Sequence, residues 1–356
     1  MNAWEKNIRK VVPYVPGEQP KEDGIIKLNT NENPYSPTPK ATQAAAEFDM
    51  DTLKLYPDPD ASALVNVLAD YYGLNSDQVY VGVGSDDVIA MAFMTYFNSD
   101  KPILFPDISY SFYSVWADLY KIPYERPALD DNFNIIASDY YKENGGVIFP
   151  NPNAPTAVYT TLDIVEDIIK HNQDVVVIVD EAYIDFGGKS ALELIEKYDN
   201  LLVVQTFSKS RSMAGMRIGY AMGNKELIKA LNDVKFSFNS YTMNATSLVY
   251  GVEAVKDDEY FKTCIDKIVK TREVAKEKLT ELGFSFTDTK ANFIFATHKS
   301  VKAKDIFEKL KDEHIYVRYF NLPRIDNYLR ITVGTDEEIE KLVEALEGIV
   351  GGCVEQ

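Results

Sequence analysis

The sequence predicts an α/β protein: a large domain with a mostly parallel central sheet covered by helices, plus a small α+β domain built from both chain ends. Three observations carry this. From about residue 60 to residue 222, short apolar runs alternate with helix-spaced or turn-rich stretches, the pattern of a parallel sheet covered on both faces. A long charged amphipathic pattern at 252–282 then changes the character of the chain. Beyond it, strand-like and helix-like segments mix in an α+β order.

In chain order, residues 1–45 are irregular and rich in Pro and Asn, including Asn29-Thr30-Asn31-Glu32-Asn33-Pro34, and read as an extended arm with turns. Residues 61–72 have helical spacing, 79–81 are strand-like, 85–97 are helical and 102–105 form a strand. Further strands are expected at 147–149, 175–180, 201–206 and 218–222. A single helix is expected at 252–282, followed by strands at 293–295, 315–317 and 328–333 and helices at 303–313 and 336–349. A chain of 356 residues suggests about two domains. The expected division is an arm contributing to the small domain (1–45), a large domain (46–260) and a C-terminal small domain (261–356).

Apolar residues make up 46% and charged residues 26% of the chain, ordinary for a globular protein. The formal charge is −18, from 37 basic and 55 acidic residues. Such a surface repels nucleic-acid phosphates and anionic lipid, so neither is expected as a partner. Cys264 and Cys353 are the two cysteines and give no disulfide framework, which fits a reducing cytoplasm. His171, His298 and His314 are too few and too scattered for a metal site. The first residues, Met1 to Lys6, lack the apolar core of a signal peptide. No window approaches the ~20 apolar residues of a membrane span. The expectation is a cytoplasmic protein.

Chemistry concentrates at two strand ends. The run 175–179 is aliphatic and ends in Asp180-Glu181-Ala182-Tyr183; the run 201–205 ends in Thr206-Phe207-Ser208-Lys209, with Arg217 eight residues on. Open α/β sheets bind ligands at the carboxyl ends of their strands, so these groups should converge. A lysine amine condenses with carbonyls when burial or a cationic neighbour makes it nucleophilic; the alternative for Lys209 is a solvated surface lysine. A buried carboxylate is costly unless paired. A protonated pyridine nitrogen would pair Asp180 and keep the ring electron-withdrawing; the alternative is a helix N-cap. Tyr183 stands close enough to donate to a ring oxygen. Thr206, Ser208 and Arg217 form a phosphate cradle, with a bidentate arginine contact. A strand-to-helix turn at Gly82-Val83-Gly84-Ser85-Asp86-Asp87 offers free amides and a positive dipole end. That turn lacks the third glycine of a dinucleotide fingerprint, Asp87 standing in its place, which argues against a nicotinamide enzyme. An aldehyde cofactor with a phosphate and a basic ring nitrogen, pyridoxal 5'-phosphate, satisfies all of these groups.

The blocks Asp180-Glu181-Ala182-Tyr183, Thr206-Phe207-Ser208-Lys209 and Gly215-Met216-Arg217-Ile218-Gly219-Tyr220 resemble the signature of the fold-type I pyridoxal-phosphate aminotransferases. The subgroup resembled most closely is the histidinol-phosphate aminotransferases. Supporting pieces are Leu28 to Pro34, Tyr56-Pro57-Asp58, Gly84 to Asp87, Tyr110, Val317-Arg318 and Leu329 to Thr335. The resemblance implies that Lys209 holds the cofactor covalently and then acts as the base that moves a proton between substrate and cofactor carbons. It implies that Asp180 pairs with the ring nitrogen, Tyr183 bonds the ring oxygen and Tyr110 stacks on the ring. Backbone amides of Ser85 and Asp86, with Thr206, Ser208 and Arg217, would hold the phosphate. Tyr56 would reach the phosphate of a neighbouring subunit, so a homodimer with shared sites is expected. Arg330 resembles the α-carboxylate arginine; Arg318 with Tyr14 would take the distal anion, and Asn31 belongs to the same substrate-binding set.

Two departures stand out. The family loop commonly reads Asn-Pro-Asn-Asn-Pro-Thr-Gly; here it is Asn151-Pro152-Asn153-Ala154-Pro155-Thr156-Ala157. Ala154 replaces a donor to the ring oxygen, leaving Tyr183 alone or requiring Asn153 to turn inward. The segment Phe236 to Tyr241 lacks the proline-containing pattern often found there. The implied reaction moves an amino group between L-glutamate/2-oxoglutarate and imidazole-acetol phosphate/L-histidinol phosphate, a step of histidine biosynthesis. Rival readings on the same fold are an aromatic-amino-acid aminotransferase and a threonine-phosphate decarboxylase; a silent cofactor-binding relative is the rival from another class.

Overall fold

The computed structural model describes residues 2–22 and 24–351; Met1 and Cys353 lie outside them. The arm carries a two-residue strand, β1 (Ile26–Lys27), and a helix, Pro39–Glu47, with Pro at its first turn and the Thr38 hydroxyl accepting from the Lys40 amide. The large sheet comprises β2 (Val79–Gly82), β3 (Ile103–Leu104), β4 (Tyr124–Glu125), β5 (Val147–Pro150), β6 (Val177–Asp180), β7 (Leu201–Thr206) and β8 (Gly219–Gly223). Their spatial order is β2-β8-β7-β6-β5-β3-β4. All neighbours pair in parallel except β8, which runs antiparallel to β7 and β2.

The central strands read as unbroken apolar runs because both faces are covered. Val177, Val179, Leu201 and Val203 point into one core, beside Leu64, Leu68 and Val165. Ile178, Leu202 and Val204 point into the other, beside Ile89, Trp116 and Leu231. Register pairs Val177 with Leu201 and Asp180 with Val204. Each fully buried aliphatic side chain there contributes roughly 1.5–3 kcal/mol, and their summed effect holds the polar strand ends in place.

The small unit has a sheet of order β12-β13-β10-β9, from β9 (Phe284–Phe286), β10 (Phe293–His298), β12 (Arg318–Tyr319) and β13 (Leu329–Thr332), all antiparallel. β11 (Ile315–Tyr316) pairs in parallel with β1 of the arm. Leu28 joins the core formed by residues such as Leu279, Ile306, Ile331 and Leu346, so the N-terminal arm closes this unit.

Two expectations change. The segment 315–317 is not one strand: β11 and β12 flank Val317 and pair with different sheets. The helix expected at 252–282 is two, Ala245–Lys256 and Asp258–Glu281, broken at Asp257, whose backbone sits at φ −97°, ψ 58°. Its carboxylate takes the Thr38 hydroxyl and pairs with Lys40 at 3.2 Å. The apolar period runs through both helices, so the pattern conceals a break that a contact from a distant segment imposes.

Candidate active site

Asp180 and Thr206 end adjacent parallel strands, and the chain turns beyond them into a cavity of about 350 Å³, within the range of small-ligand pockets. The arm and the small unit supply its other walls, through Tyr14, Asn31, Arg318 and Arg330.

Asp180 is buried and accepts from the Tyr113 hydroxyl at 2.7 Å and the Ala182 amide at 3.3 Å. Burial pushes its carboxyl up to about 6 despite both donors. No cation pairs with it among the described residues, so the charged form lacks the partner that a buried carboxylate needs. The Tyr183 hydroxyl accepts from Asn31 Nδ2 at 2.9 Å. Asn31 is fixed by its left-handed backbone, φ 57°, and by bonds with Thr332 and Asn292. Lys209 Nζ donates to the Thr30 carbonyl at 3.0 Å and stands 5.8 Å from the Tyr183 ring centroid. The Asn33 amide ties down the carbonyls of Lys209 and Ser210 at 3.1 Å each.

On the opposite wall Gly84 caps the helix Ser85–Tyr96, whose first-turn amides have no helical acceptors. Gly84 sits at φ +84°, and a Cβ there would lie 2.4 Å from Arg217 Nη2. A Cβ on Gly219 would lie 2.2 Å from the Ser85 nitrogen. Both glycines therefore let β8, the turn and the arginine approach closely. Arg217 reaches Asp86 at 3.4 Å and Ser208 Oγ at 3.5 Å; Thr206 Oγ1 lies 3.0 Å from Ser208 Oγ. Tyr110 donates to Asp86 at 2.8 Å. The Asp86 side chain thus braces Arg217 and Tyr110, a role the sequence did not suggest beside its amide. The cluster of amides, hydroxyls and guanidinium suits a dianion.

Arg330 donates through Nη2 to the Asn29 carbonyl at 2.9 Å, and its buried Nε has no partner among the described residues. Phe293 and Phe320 each lie 5.5 Å from its guanidinium, and burial pushes its pKa down. Arg318 stands 5.5 Å from Phe320, and Tyr14 stacks on Phe112 at 4.2 Å.

Most residues singled out from the sequence converge: Tyr14, Asn31, Ser85, Asp86, Tyr110, Asp180, Tyr183, Thr206, Ser208, Lys209, Arg217, Arg318 and Arg330 all line the cavity. Two do not. Asn153 is buried behind the wall, donating to the Ile108 carbonyl at 3.0 Å and Thr156 Oγ1 at 2.8 Å, and Ala154 takes the cavity-lining position; of the two alternatives for the ring oxygen, the inward turn of Asn153 is not present. Tyr56 is 81% exposed and stacks on Tyr241 at 4.6 Å, away from this cavity. Sequence reasoning missed Tyr113, which stands in the first turn of the helix Phe112–Tyr120. It also passed over Thr30 and Glu32, which line the cavity inside a block quoted only as a motif.

A family model for aminotransferase class I and II matches residues 23–346. A histidinol-phosphate aminotransferase of Clostridium botulinum (strain Okra / Type B1) is 52% identical over 347 residues, covering 98% of each chain. One from Lactococcus lactis subsp. lactis (strain IL1403) is 50% identical, covering 97% of this chain and 96% of that protein. Among solved structures, the histidinol-phosphate aminotransferase of Sinorhizobium meliloti in complex with pyridoxal-5'-phosphate superposes with TM-score 0.83 at 21% identity, over 92% of this chain and 91% of that one. The L-threonine-O-3-phosphate decarboxylase of Porphyromonas gingivalis superposes with TM-score 0.78 at 20% identity, over 92% of this chain and all of that one. A decarboxylase and an aminotransferase thus share the fold, and the fold alone does not select the reaction.

Proposed function

Since the chain belongs to the class I and II aminotransferases, and within them to the histidinol-phosphate aminotransferases, we propose that it is a pyridoxal-phosphate enzyme exchanging an amino group between L-glutamate/2-oxoglutarate and L-histidinol phosphate/imidazole-acetol phosphate. Relatives named histidinol-phosphate aminotransferase at about half identity over nearly the whole chain support this over the aromatic-amino-acid and threonine-phosphate rivals. The observation that carries the cofactor is Asp180: a buried carboxylate with no cation among the described residues, lining one cavity with a dianion cradle and a lysine amine. A phosphorylated pyridine aldehyde has the cation, the dianion and the carbonyl that those three features need.

When bound, pyridoxal phosphate supplies an electron sink for the carbon that loses a proton. The protein's groups divide the remaining work. Asp180, whose ionised form the Tyr113 hydroxyl and the Ala182 amide favour against burial, would hold a proton on the ring nitrogen. Ser85 and Asp86 amides, Thr206, Ser208 and Arg217 would hold the phosphate, and Tyr183, oriented by Asn31, would bond the ring oxygen. Lys209 would hold the cofactor through its aldehyde and would serve as the group that moves a proton at the substrate carbon; the Thr30 carbonyl accepts from its Nζ. Arg330 and Arg318, with Tyr14, meet the substrate's anionic ends.

We also read the active molecule as a cytoplasmic homodimer in which Tyr56 of each subunit reaches the other's phosphate. Its exposure, and that of neighbouring Leu55, Phe238 and Tyr241, supports a covered surface there. No helix among the described residues is long and apolar enough to cross a membrane. Purified protein given L-histidinol phosphate and 2-oxoglutarate should form glutamate. Full turnover of aromatic keto acids with none of imidazole-acetol phosphate would overturn the substrate assignment; carbon dioxide release without an amino acceptor would replace the reaction by decarboxylation.

A further inference from the structure

The cavity carries three carboxylates among four cationic side chains, Lys209, Arg217, Arg318 and Arg330. Two carboxylates have duties already. Asp86 braces Arg217 and Tyr110; Asp180 sits deep, on Tyr113. The third, Glu32, has none in binding anions, and a negative charge there weakens the site for any carboxylate or phosphate.

Its geometry is specific. Glu32 Oε2 takes both the Lys27 ammonium and the Thr30 hydroxyl, the latter at 2.7 Å, and Lys27 also donates to Thr30 Oγ1 at 2.6 Å. Glu32 Oε1 accepts nothing among the described residues. The side chain is therefore clamped through one oxygen, the other accepts nothing among the described residues, and the residue lines the cavity. Lys27 and Lys209 keep the carboxyl below its ordinary value against the opposing effect of burial, so it is ionised at neutral pH. The clamp lies next to the reaction centre, because Thr30, which donates its hydroxyl to Glu32, also offers its carbonyl to Lys209 at 3.0 Å.

We propose that Glu32 is a specificity-determining residue whose Oε1 accepts the imidazole N–H of the phosphorylated substrate. This rests on the substrate reading given under Proposed function. Of the two amino donors, the imidazole compound alone carries a ring N–H beyond its amine; glutamate presents a second carboxylate, which Glu32 repels. A carboxylate in this position thus costs the glutamate half-reaction something and favours the other substrate.

Two unreactive phosphomonoesters separate recognition from turnover: 2-(imidazol-4-yl)ethyl phosphate and 2-phenylethyl phosphate, titrated calorimetrically into the cofactor-loaded enzyme. The wild type should bind the imidazole ester about tenfold or more tightly than the phenyl ester, the worth of a hydrogen bond to a charged acceptor. In Glu32→Ala and Glu32→Gln that ratio should fall by about tenfold, through the imidazole ester alone, while Lys27→Met keeps it. An unchanged ratio, or a parallel loss for both esters, would make Glu32 a brace for the arm and overturn the assignment. If the wild type binds neither ester yet turns over another amino donor, the substrate reading itself falls, and this inference with it.

Discussion

A carboxylate that ends a strand of fully buried aliphatic residues must either be neutral or have a partner. Asp180 has the Tyr113 hydroxyl, the Ala182 amide and no cation among the described residues, and burial lifts it to about 6. Pairing with a protonated ring nitrogen needs the ionised form, so cofactor affinity contributed by Asp180 is present above about pH 6 and lost as pH falls through it. Asp180→Asn should weaken cofactor binding about tenfold or more and flatten that pH dependence, as fluorescence titration of the apoprotein would show. Tyr113→Phe removes a donor that favours the ionised form; the acid limb of the same profile should move to higher pH. Unmoved profiles in both variants would dissociate Asp180 from the cofactor. Tyr113 was not legible in the sequence, because its hydroxyl meets Asp180 only once the helix Phe112–Tyr120 packs on the sheet.

Elements built by local periodicity and burial were legible; elements decided by distant contacts were not. The strands ending at Asp180 and Thr206 appear within two residues of their expected limits because both faces of the sheet demand apolar side chains. The broken helix at Asp257 and the split at Val317 were hidden, since each depends on the arm, through Thr38 and through β1. Asp257→Ala should lower stability by about 1 kcal/mol, measured by urea denaturation, and leave Lys209 chemistry intact. The turn before the helix Ser85–Tyr96 tolerates less. Gly84→Ala places a Cβ on Arg217 at a positive φ, so cofactor affinity should drop, with about 1–3 kcal/mol of destabilisation from backbone strain. Many of the site residues that converge on the cavity are fixed to such strand ends and turns; Asn153 lies behind the wall because its amide satisfies Ile108 and Thr156 there.

For the whole molecule, Glu181 sets a pH signature. It is buried, accepts from Ser190, the Ala191 amide and Gln205, and burial pushes it up to about 7. A carboxyl raised above its unfolded value adds stability that is fully present below about pH 4.5 and is lost as pH rises through about 7. Glu181→Gln should remove this slope, so its thermal stability relative to wild type should improve from pH 5 to pH 8, by on the order of 2 kcal/mol. A constant difference across that range would refute it. The shared-site dimer has its own test. Hybrids of Lys209→Ala and Tyr56→Ala subunits contain one site with both groups intact, and should recover up to about half of the wild-type activity per dimer when two inactive or weakened parents are mixed. Recovery absent from isolated hybrids would place Tyr56 outside its neighbour's site.

The convergence of Lys209, Asp180 and the phosphate cradle on one pyridoxal-phosphate site is tested most directly by adding the cofactor to the purified protein, recording the visible spectrum, reducing with borohydride and mapping the modified peptide by mass spectrometry. A visible band that borohydride abolishes, with the cofactor fixed to Lys209 alone, is the expected result. A protein that stays colourless with added cofactor, or a label on any other lysine, would contradict it.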